Sequence, residues 1–290
     1  MNLLLIKVHL RLCIVQYREV VFSFLEMSTA KLEQQPSIHL NKQVIDDMVL
    51  FDTNQLLLVV PEQRKVILVQ SGSGKVLAEL VLQANPEFIC KIDANVAATT
   101  FLNNTIQFIQ VNQNKLKVDS TTKVNVNVYG IASYNKNLVV SYYPPGVKII
   151  SKDGRTIHNI DNTTAGREVF KNPRWIAATS DGSIYVTDWG TYTITRLDSR
   201  LTIIQTFSGS MLTGPRGIIS LNKDQLLVCS LDKSSVVLLR PSTSSMTVLL
   251  DKQPGIKHPR YICFCKEQKE LYMAPQQADK ILVYKLSNLN

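Results

Sequence analysis

The chain has 290 residues, of which 45% are hydrophobic and 19% are charged. This balance is typical of a globular protein and argues against large-scale disorder, and the length allows one closed all-β unit. The formal net charge of +9 indicates either a generally basic surface without a specific partner or attraction to RNA, anionic lipid headgroups or acidic proteins.

Residues 1–35 are predicted to form an irregular N-terminal extension. Apolar residues dominate residues 3–25, but Lys7, Arg11 and Arg18 interrupt them, so no apolar stretch is long enough to span a bilayer. A signal peptide would carry its positive charge before the apolar run, whereas Lys7 falls inside it. We therefore predict no association with a membrane.

Six related segments recur along the rest of the sequence at intervals of 42 to 45 residues. We call them anchors, and they begin near residues 44, 86, 128, 173, 215 and 259. The three most similar anchors are Pro173-Arg174-Trp175-Ile176, Pro215-Arg216-Gly217-Ile218 and Pro259-Arg260-Tyr261-Ile262. The other three are Val44-Ile45-Asp46-Asp47, Pro86-Glu87-Phe88-Ile89 and Val128-Tyr129-Gly130-Ile131.

Each anchor opens a first apolar strand, and a polar turn then leads to a second strand. The predicted second strands are residues 56–60, 96–100, 138–142, 184–187, 226–229 and 271–273. A longer loop leads to a third strand, predicted at residues 66–69, 106–109, 147–150, 194–197, 236–239 and 281–284. A tight turn and an outer strand complete the unit, as at residues 78–82, 203–207 and 246–250.

Four short strands repeating at this period predict an all-β fold, a six-bladed β-propeller with four-stranded blades. A helical repeat is excluded because no segment keeps an apolar period of 3.6 residues for long. The sixth unit has only three strands and ends at Leu286, so we predict that Ser37-Ile38-His39-Leu40 supplies its outer strand and closes the ring. The propeller is predicted at residues 36–286, with a tail at 287–290.

The cysteines are odd in number and irregularly spaced. No zinc ligand set fits, because Cys263-x-Cys265 has no second pair. We therefore predict reduced thiols, buried as small hydrophobic groups in a cytoplasmic protein, and neither a metal nor a cofactor. The five are Cys13, Cys90, Cys229, Cys263 and Cys265.

The fourth unit resembles an NHL repeat. It opens with Pro173-Arg174-Trp175-Ile176-Ala177, continues with Asp181-Gly182-Ser183-Ile184-Tyr185-Val186-Thr187-Asp188, and ends with Arg196 on a strand before Asp198. The fifth anchor matches the opening of that repeat more closely, whereas the other units are degenerate and the first lacks the proline. Residues 36–286 are similar to the C-terminal propeller of tripartite-motif (TRIM-NHL) proteins, in particular the divergent forms of molluscs.

In that family a zinc-binding RING, B-boxes and a coiled coil precede the propeller, and the RING carries ubiquitin-ligase activity. Clustered Cys/His ligands are missing from this sequence, so the resemblance predicts no ligase activity for it. It implies a non-catalytic, monomeric recognition module of a tripartite-motif-like ubiquitin-ligase system, which binds a protein substrate or adaptor. Single-stranded RNA is the alternative ligand.

Strand direction alternates within a blade, so the loop that enters the first strand and the loop between strands two and three share one face. We predict a partner-binding site there. Basic groups between aromatic rings suit single-stranded RNA, and they equally suit an acidic or extended protein segment. The alternative for each arginine is packing against neighbouring loop carbonyls. The predicted site residues are Arg174, Arg216, Arg260, Arg64, Lys65, Lys233, Lys280, Tyr142, Tyr143, Trp189 and Tyr192.

Catalytic alternatives fit the sequence less well. Some six-bladed propellers hold calcium at the axis, but half of the residues entering this channel are cationic, which disfavours a divalent ion. A three-histidine zinc site is not expected, because His39, His158 and His258 occupy different points of the repeat. A calcium-dependent hydrolase is kept as a third hypothesis. The residues that enter the channel are Asp46 or Asp47, Glu87, Tyr129, Arg174, Arg216 and Arg260.

Overall fold

Within residues 31–40, 43–163, 165–251, 255–276 and 279–287, which the computed structural model describes, the protein is almost entirely β-structure. These ranges contain 24 strands, β1 to β24 in sequence order, and one short 3-10 helix at Pro61–Gln63. The strands form six antiparallel sheets of four strands each. This arrangement confirms the predicted six-bladed propeller.

The first three blades follow one another along the sequence. Blade 1 contains β2 (Asp47–Asp52), β3 (Gln55–Val60), β4 (Lys65–Gln70) and β5 (Val76–Val81). Blade 2 contains β6 (Pro86–Lys91), β7 (Val96–Phe101), β8 (Thr105–Asn112) and β9 (Lys115–Lys123). Blade 3 contains β10 (Asn127–Tyr134), β11 (Asn137–Tyr143), β12 (Gly146–Ile150) and β13 (Thr156–Asp161).

The last three blades complete the ring, and blade 6 takes its outer strand from the N-terminal side of blade 1. Blade 4 contains β14 (Pro173–Ala178), β15 (Ile184–Asp188), β16 (Thr193–Leu197) and β17 (Ile203–Phe207). Blade 5 contains β18 (Pro215–Asn222), β19 (Gln225–Ser230), β20 (Ser235–Arg240) and β21 (Ser245–Leu250). Blade 6 contains β22 (Pro259–Cys265), β23 (Glu270–Pro275), β24 (Lys280–Ser287) and β1 (Lys31–His39).

The second and third strands are buried on both faces, as their continuous apolar sequences predict. In blade 1, Leu56 to Val60 on β3 and Val66 to Val69 on β4 are all buried. The outer strands are more exposed, because only one of their faces packs on the blade; in β17, half-buried Ile203 and Gln205 alternate with exposed Ile204 and Thr206. The core therefore lies between neighbouring blades and around the propeller axis.

The N-terminal strand closes the ring, as predicted, but it is longer than its sequence indicates. It runs over Lys31–His39 and so begins upstream of residue 36, because β24 continues to Ser287 and offers backbone groups to pair with. The ladder is irregular between Gln35 and Ile38, where Pro36 has no N–H to donate. Ile38 is buried, which ties the strand to the core.

Four cysteines, Cys90, Cys229, Cys263 and Cys265, are buried free thiols, as predicted, while Cys13 lies outside the described residues. Burial raises the pKa of each of these four thiols, so they are poor nucleophiles. The part of the protein that the structure describes contains no helix long and apolar enough to cross a bilayer.

The Ile38→Ala variant tests the closure. Removing buried methyl and methylene groups from β1 is expected to lower the free energy of unfolding by about 2–4 kcal/mol. Gln34→Ala, an exposed position on the same strand, is the matched control and is expected to change it by less than about 0.5 kcal/mol. Urea denaturation measures both, and equal midpoints for Ile38→Ala and the parent would contradict the closure.

Candidate functional site

One residue from each blade lines a cavity at the propeller axis, close to the start of the innermost strand. The cavity has a volume of about 330 Å³, and we call it the axial mouth. All six positions predicted to enter the channel are present, with Asp46 as the residue from blade 1. They are Asp46, Glu87, Tyr129, Arg174, Arg216 and Arg260.

All three arginines lie close to aromatic rings, and for two of them the rings are the main contacts. The Arg174 guanidinium lies 3.6 Å from the centroid of the Tyr129 ring. The Arg216 guanidinium lies 4.6 Å from the Trp189 ring and 5.5 Å from the Trp175 ring. Such contacts orient a guanidinium without neutralising its charge.

The third arginine, Arg260, lies 5.1 Å from the Tyr261 ring and 5.9 Å from the Trp175 ring, and it also contacts an acidic group. A guanidinium nitrogen of Arg260 lies 3.7 Å from the Asp46 carboxylate, which also accepts a 3.0 Å hydrogen bond from the Tyr261 hydroxyl. Because Asp46 belongs to blade 1 and both partners belong to blade 6, these contacts join the two blades at which the ring closes.

Arg174 and Arg216 have no carboxylate at ion-pair distance among the described residues. Desolvation lowers the pKa of both, that of Arg216 to about 10, so each guanidinium remains charged at neutral pH. On the opposite wall, burial and then the charge of Asp46 raise the pKa of Glu87. The mouth therefore has a basic side formed by blades 4 and 5 and an acidic side formed by blades 1 and 2.

The floor of the mouth is built by alternate blades. Phe88, Trp175 and Tyr261 directly follow the mouth residues of blades 2, 4 and 6, and the Trp175 ring contacts the other two at centroid distances of 5.5 and 6.3 Å. This aromatic floor separates the mouth from a second cavity of about 270 Å³ lower in the channel.

Blades 3 and 5 carry glycine where their neighbours carry the floor rings. A Cβ atom added at Gly130 would lie 1.6 Å from the carbonyl oxygen of Arg174, and one added at Gly217 would lie 2.7 Å from that of Arg260. Both distances are below van der Waals contact. The two glycines therefore allow the backbones of neighbouring blades to approach each other at the mouth.

Buried hydroxyl groups on second strands set the position of the next blade's mouth residue. Thr100 donates to the carbonyl oxygen of Tyr129 at 2.8 Å, and Ser141 donates to that of Arg174 at 3.1 Å. Thr187 does the same for the carbonyl oxygen of Arg216 at 3.0 Å. A polar group within an apolar strand is thus satisfied by the neighbouring blade.

Asp188 organises the loops around the basic side. Its carboxylate is fully buried and accepts hydrogen bonds from four backbone N–H groups, as aspartate often does in turns. Two belong to the loop that enters blade 4 and two to the turn after Trp189. The four donors are Lys171, Asn172, Gly190 and Thr191.

Four of the predicted site residues line the mouth: Arg174, Arg216, Arg260 and Trp189. Other predicted residues lie on the same face but outside the mouth. Tyr143 and Tyr192 are 56% and 48% exposed, Arg64 and Lys233 are also exposed, and Lys280 is half-buried.

Two predicted site residues have partners within their own blades. Lys65 forms a 2.7 Å salt bridge with Glu79 on the adjacent strand. Tyr142 is buried, and its hydroxyl donates to Asn159 at 2.7 Å and contacts Asp161 at 3.2 Å, so its ring is not available at the surface.

Sequence reasoning missed several residues that line the mouth. Phe88 and Trp175 form part of the floor, and Leu102 and Gln276 lie beside the charged groups. The signal for the floor was present in the anchors, since the residue after the mouth position is aromatic in every second blade. The described histidines do not line the mouth, and within the described ranges no three His, Cys, Asp or Glu side chains are grouped to hold a metal ion.

The fold and this site define a six-bladed β-propeller with a basic, aromatic-floored mouth. No protein-family model matches the sequence, and comparison with curated proteins finds no match. Among solved structures, virginiamycin B lyase from Staphylococcus aureus is similar to it, with a TM-score of 0.63 and 15% identity over 89% of this protein and 100% of that one.

A catalytically inactive histidine-to-alanine variant of the same lyase, with quinupristin, has a TM-score of 0.64 and 16% identity over the same shares of the two proteins. A streptogramin B lyase has a TM-score of 0.63 and 12% identity over 90% of this protein and 99% of that one. These likenesses agree with the propeller fold.

The buried carboxyl of Asp47, next to Asp46, provides a test of the blade contacts below the mouth. It accepts a 2.8 Å hydrogen bond from the Ile89 N–H in blade 2, and burial raises its pKa from 3.8 to about 7. The folded protein therefore holds this proton more tightly than the unfolded protein does. Asp47 thus contributes stability at acidic pH that is lost as the pH rises to about 7.

Asp47→Asn keeps an acceptor for the Ile89 N–H but cannot ionise. Relative to this variant, the parent is expected to lose on the order of 2–4 kcal/mol of unfolding free energy between about pH 4 and pH 8. Urea denaturation of both proteins at the two pH values measures the difference. Parallel pH profiles would contradict the burial of this carboxyl.

Proposed function

We propose that the protein is a non-catalytic recognition propeller that binds an acidic segment of a protein partner at its axial mouth. The observation that carries this proposal is the state of Arg174 and Arg216. Both guanidinium groups are partly buried and stacked on aromatic rings, and neither has a carboxylate at ion-pair distance among the described residues.

The hydration that Arg174 and Arg216 lose on burial is only partly replaced within the protein. Withdrawing a guanidinium from water costs free energy unless a charge or several hydrogen bonds replace the lost hydration. Aromatic faces replace part of it, and the planar N–H groups of both arginines remain able to bind an acceptor. A carboxylate entering the mouth would offset the remaining cost through charge-assisted hydrogen bonds.

The solved propellers that resemble this protein include lyases, and their low identity supports an inference about fold only. One of them is described as catalytically inactive after a histidine-to-alanine change. Among the residues that the structure describes here, no histidine lines the mouth. His258 lies near the top of blade 6, where it contacts the Leu231 carbonyl, and His39 and His158 are on outer strands. Recognition is therefore inferred from the arginines of the mouth and not from these similar structures.

We further propose that the protein partner is a substrate or adaptor in a tripartite-motif-like ubiquitin-ligase system in the cytoplasm, with the propeller acting as a monomer. The support is the NHL-like pattern of blade 4, in which Asp188 and Arg174 have structural roles at the mouth, and the opening of blade 5 at Pro215-Arg216-Gly217. RNA binding is a less favoured alternative, because the aromatic floor closes the mouth and Tyr142 is buried away from it.

The variant Arg174→Gln/Arg216→Gln tests the proposal. Its matched control is Arg155→Gln/Arg200→Gln, which removes the same charge from exposed turns on the opposite face. The probes are a fluorescein-labelled poly-glutamate peptide and a labelled poly-uridine RNA of equal length, followed by fluorescence anisotropy. The mouth variant is expected to weaken poly-glutamate binding about tenfold or more, because two charge-assisted contacts are lost, while the control leaves it unchanged.

An equal loss of poly-glutamate binding in both variants would show a diffuse charge effect and overturn the proposal. Tighter binding of poly-uridine, with an affinity that falls steeply with added salt, would instead favour RNA. A pull-down with and without nuclease checks the same point on natural partners, and we expect capture to be insensitive to nuclease.

A further inference from the structure

The charges in the mouth are nearly balanced. Three arginines face two acidic residues, Asp46 and Glu87, so the mouth carries one net positive charge when all five are ionised. Asp46 is already engaged by Arg260 and Tyr261. The unmatched positive charge therefore lies on the side of Arg174 and Arg216, and Glu87 faces it across the cavity.

The shape of the mouth limits what can enter. Phe88 and Trp175 lie between the mouth and the cavity below it, with Tyr261 packed against Trp175, and the mouth's volume of about 330 Å³ is near the lower end for ligand pockets. A polypeptide therefore does not thread through the axis. A single side chain or a polypeptide terminus can enter from above, together with part of the neighbouring residue.

Apolar side chains lie beside the mouth on one side only. In blades 2 to 6, one residue of the second strand pairs with the first residue of the anchor. The residue that follows it is Leu102 in blade 2, Tyr143 in blade 3 and Trp189 in blade 4. Leu102 is 50% exposed, and both Leu102 and Trp189 also line the mouth. In blades 5 and 6 the equivalent residues are Leu231, which is buried, and Gln276. We call Leu102, Tyr143 and Trp189 the apolar crescent.

Resting on the proposed function, we propose that the mouth binds a single carboxylate between Arg174 and Arg216, with the adjacent bulky apolar residue of the ligand lying on the apolar crescent. The carboxylate comes from an aspartate or glutamate side chain or from the C-terminus of a polypeptide. A monovalent carboxylate matches the net charge of the mouth and the planar fork of a guanidinium.

The acidic wall distinguishes a carboxylate from a phosphate. A phosphoryl group brings up to two negative charges and three acceptor oxygens. In a cavity of this size its second charge would lie near Glu87 and Asp46, and like charges in a partly buried site repel each other more strongly than they do in water. The mouth is therefore expected to discriminate against phosphorylated side chains.

The protein has a built-in reporter for this site. Both of its tryptophans, Trp175 and Trp189, line the mouth and contact the Arg216 guanidinium. Tryptophan fluorescence can thus be titrated with short acetylated, amidated peptides that contain a central Leu-Asp, Leu-Asn, Leu-phosphoserine or Gly-Asp in a Gly/Ser background. A peptide that ends in leucine, with either a free carboxylate or an amide, tests the C-terminus as the source.

The Leu-Asp peptide is expected to give a saturable fluorescence change and to bind at least about tenfold more tightly than the Leu-Asn and Leu-phosphoserine peptides. A response to the free-carboxylate leucine peptide that the amide lacks would identify a C-terminus as a second source. Arg216→Gln is expected to abolish the preference for Leu-Asp over Leu-Asn, and Arg155→Gln to leave it intact.

Two further variants separate the parts of the proposal. Glu87→Gln raises the net charge of the mouth, so it is expected to improve binding of the phosphoserine peptide relative to the Leu-Asp peptide. Leu102→Ser/Tyr143→Ser is expected to weaken the Leu-Asp peptide to the level of the Gly-Asp peptide without affecting the latter.

The assignment is overturned if the Leu-phosphoserine peptide binds more tightly than the Leu-Asp peptide to the parent protein, if Leu-Asn binds as well as Leu-Asp, or if no carboxylate peptide changes the fluorescence. If poly-glutamate binding still depends on Arg174 and Arg216, any of these results overturns the carboxylate assignment alone, and the proposed function is retained. If poly-glutamate binding does not depend on these two arginines, both the carboxylate assignment and the proposed function are overturned.

Discussion

A ring of blades is stable only if its first and last members meet, and the pairing of β1 with β24 satisfies this requirement. The pairing turns blade 6 into a four-stranded sheet and removes an open edge. It also brings Asp46 beside Arg260 and Tyr261, so that the closure and the arrangement of the mouth depend on each other. Six inner strands can present their first residues around one axis only because the ring is complete.

The fold could be predicted because its determinants are local. Apolar strands separated by polar turns recur at a nearly constant interval, and the anchors fix where each blade begins. The closing strand was predicted only in part, since Glu33, Gln34 and Gln35 show no apolar alternation and are drawn into the sheet by the exposed edge of β24. Five of the six mouth residues followed from register alone, because equivalent positions in a propeller lie at equivalent places around the axis; in blade 1 the sequence left Asp46 and Asp47 as alternatives.

Features that arise across the axis could not be predicted. Trp175 meets Tyr261 and Phe88 from blades that are distant in sequence, and nothing near any one of these residues indicates the contact. The orientation of the Tyr142 side chain could not be predicted either. It depends on the irregular pairing between Val128 and Ile131 and on the hydrogen-bond acceptors of β13. The burial of the hydroxyls of Thr100, Ser141 and Thr187 is likewise explained only by their hydrogen bonds to carbonyl oxygens of the next blade.

Those hydroxyl contacts constrain how such a protein can change. The carbonyl group that positions Arg174 is held by Ser141 in blade 3, and the one that positions Arg216 is held by Thr187 in blade 4. A mouth residue and its support are therefore encoded in different repeats. Duplication or exchange of a single blade would transfer the side chain without the contact that orients it, so the unit that must be inherited together at this mouth is a pair of adjacent blades.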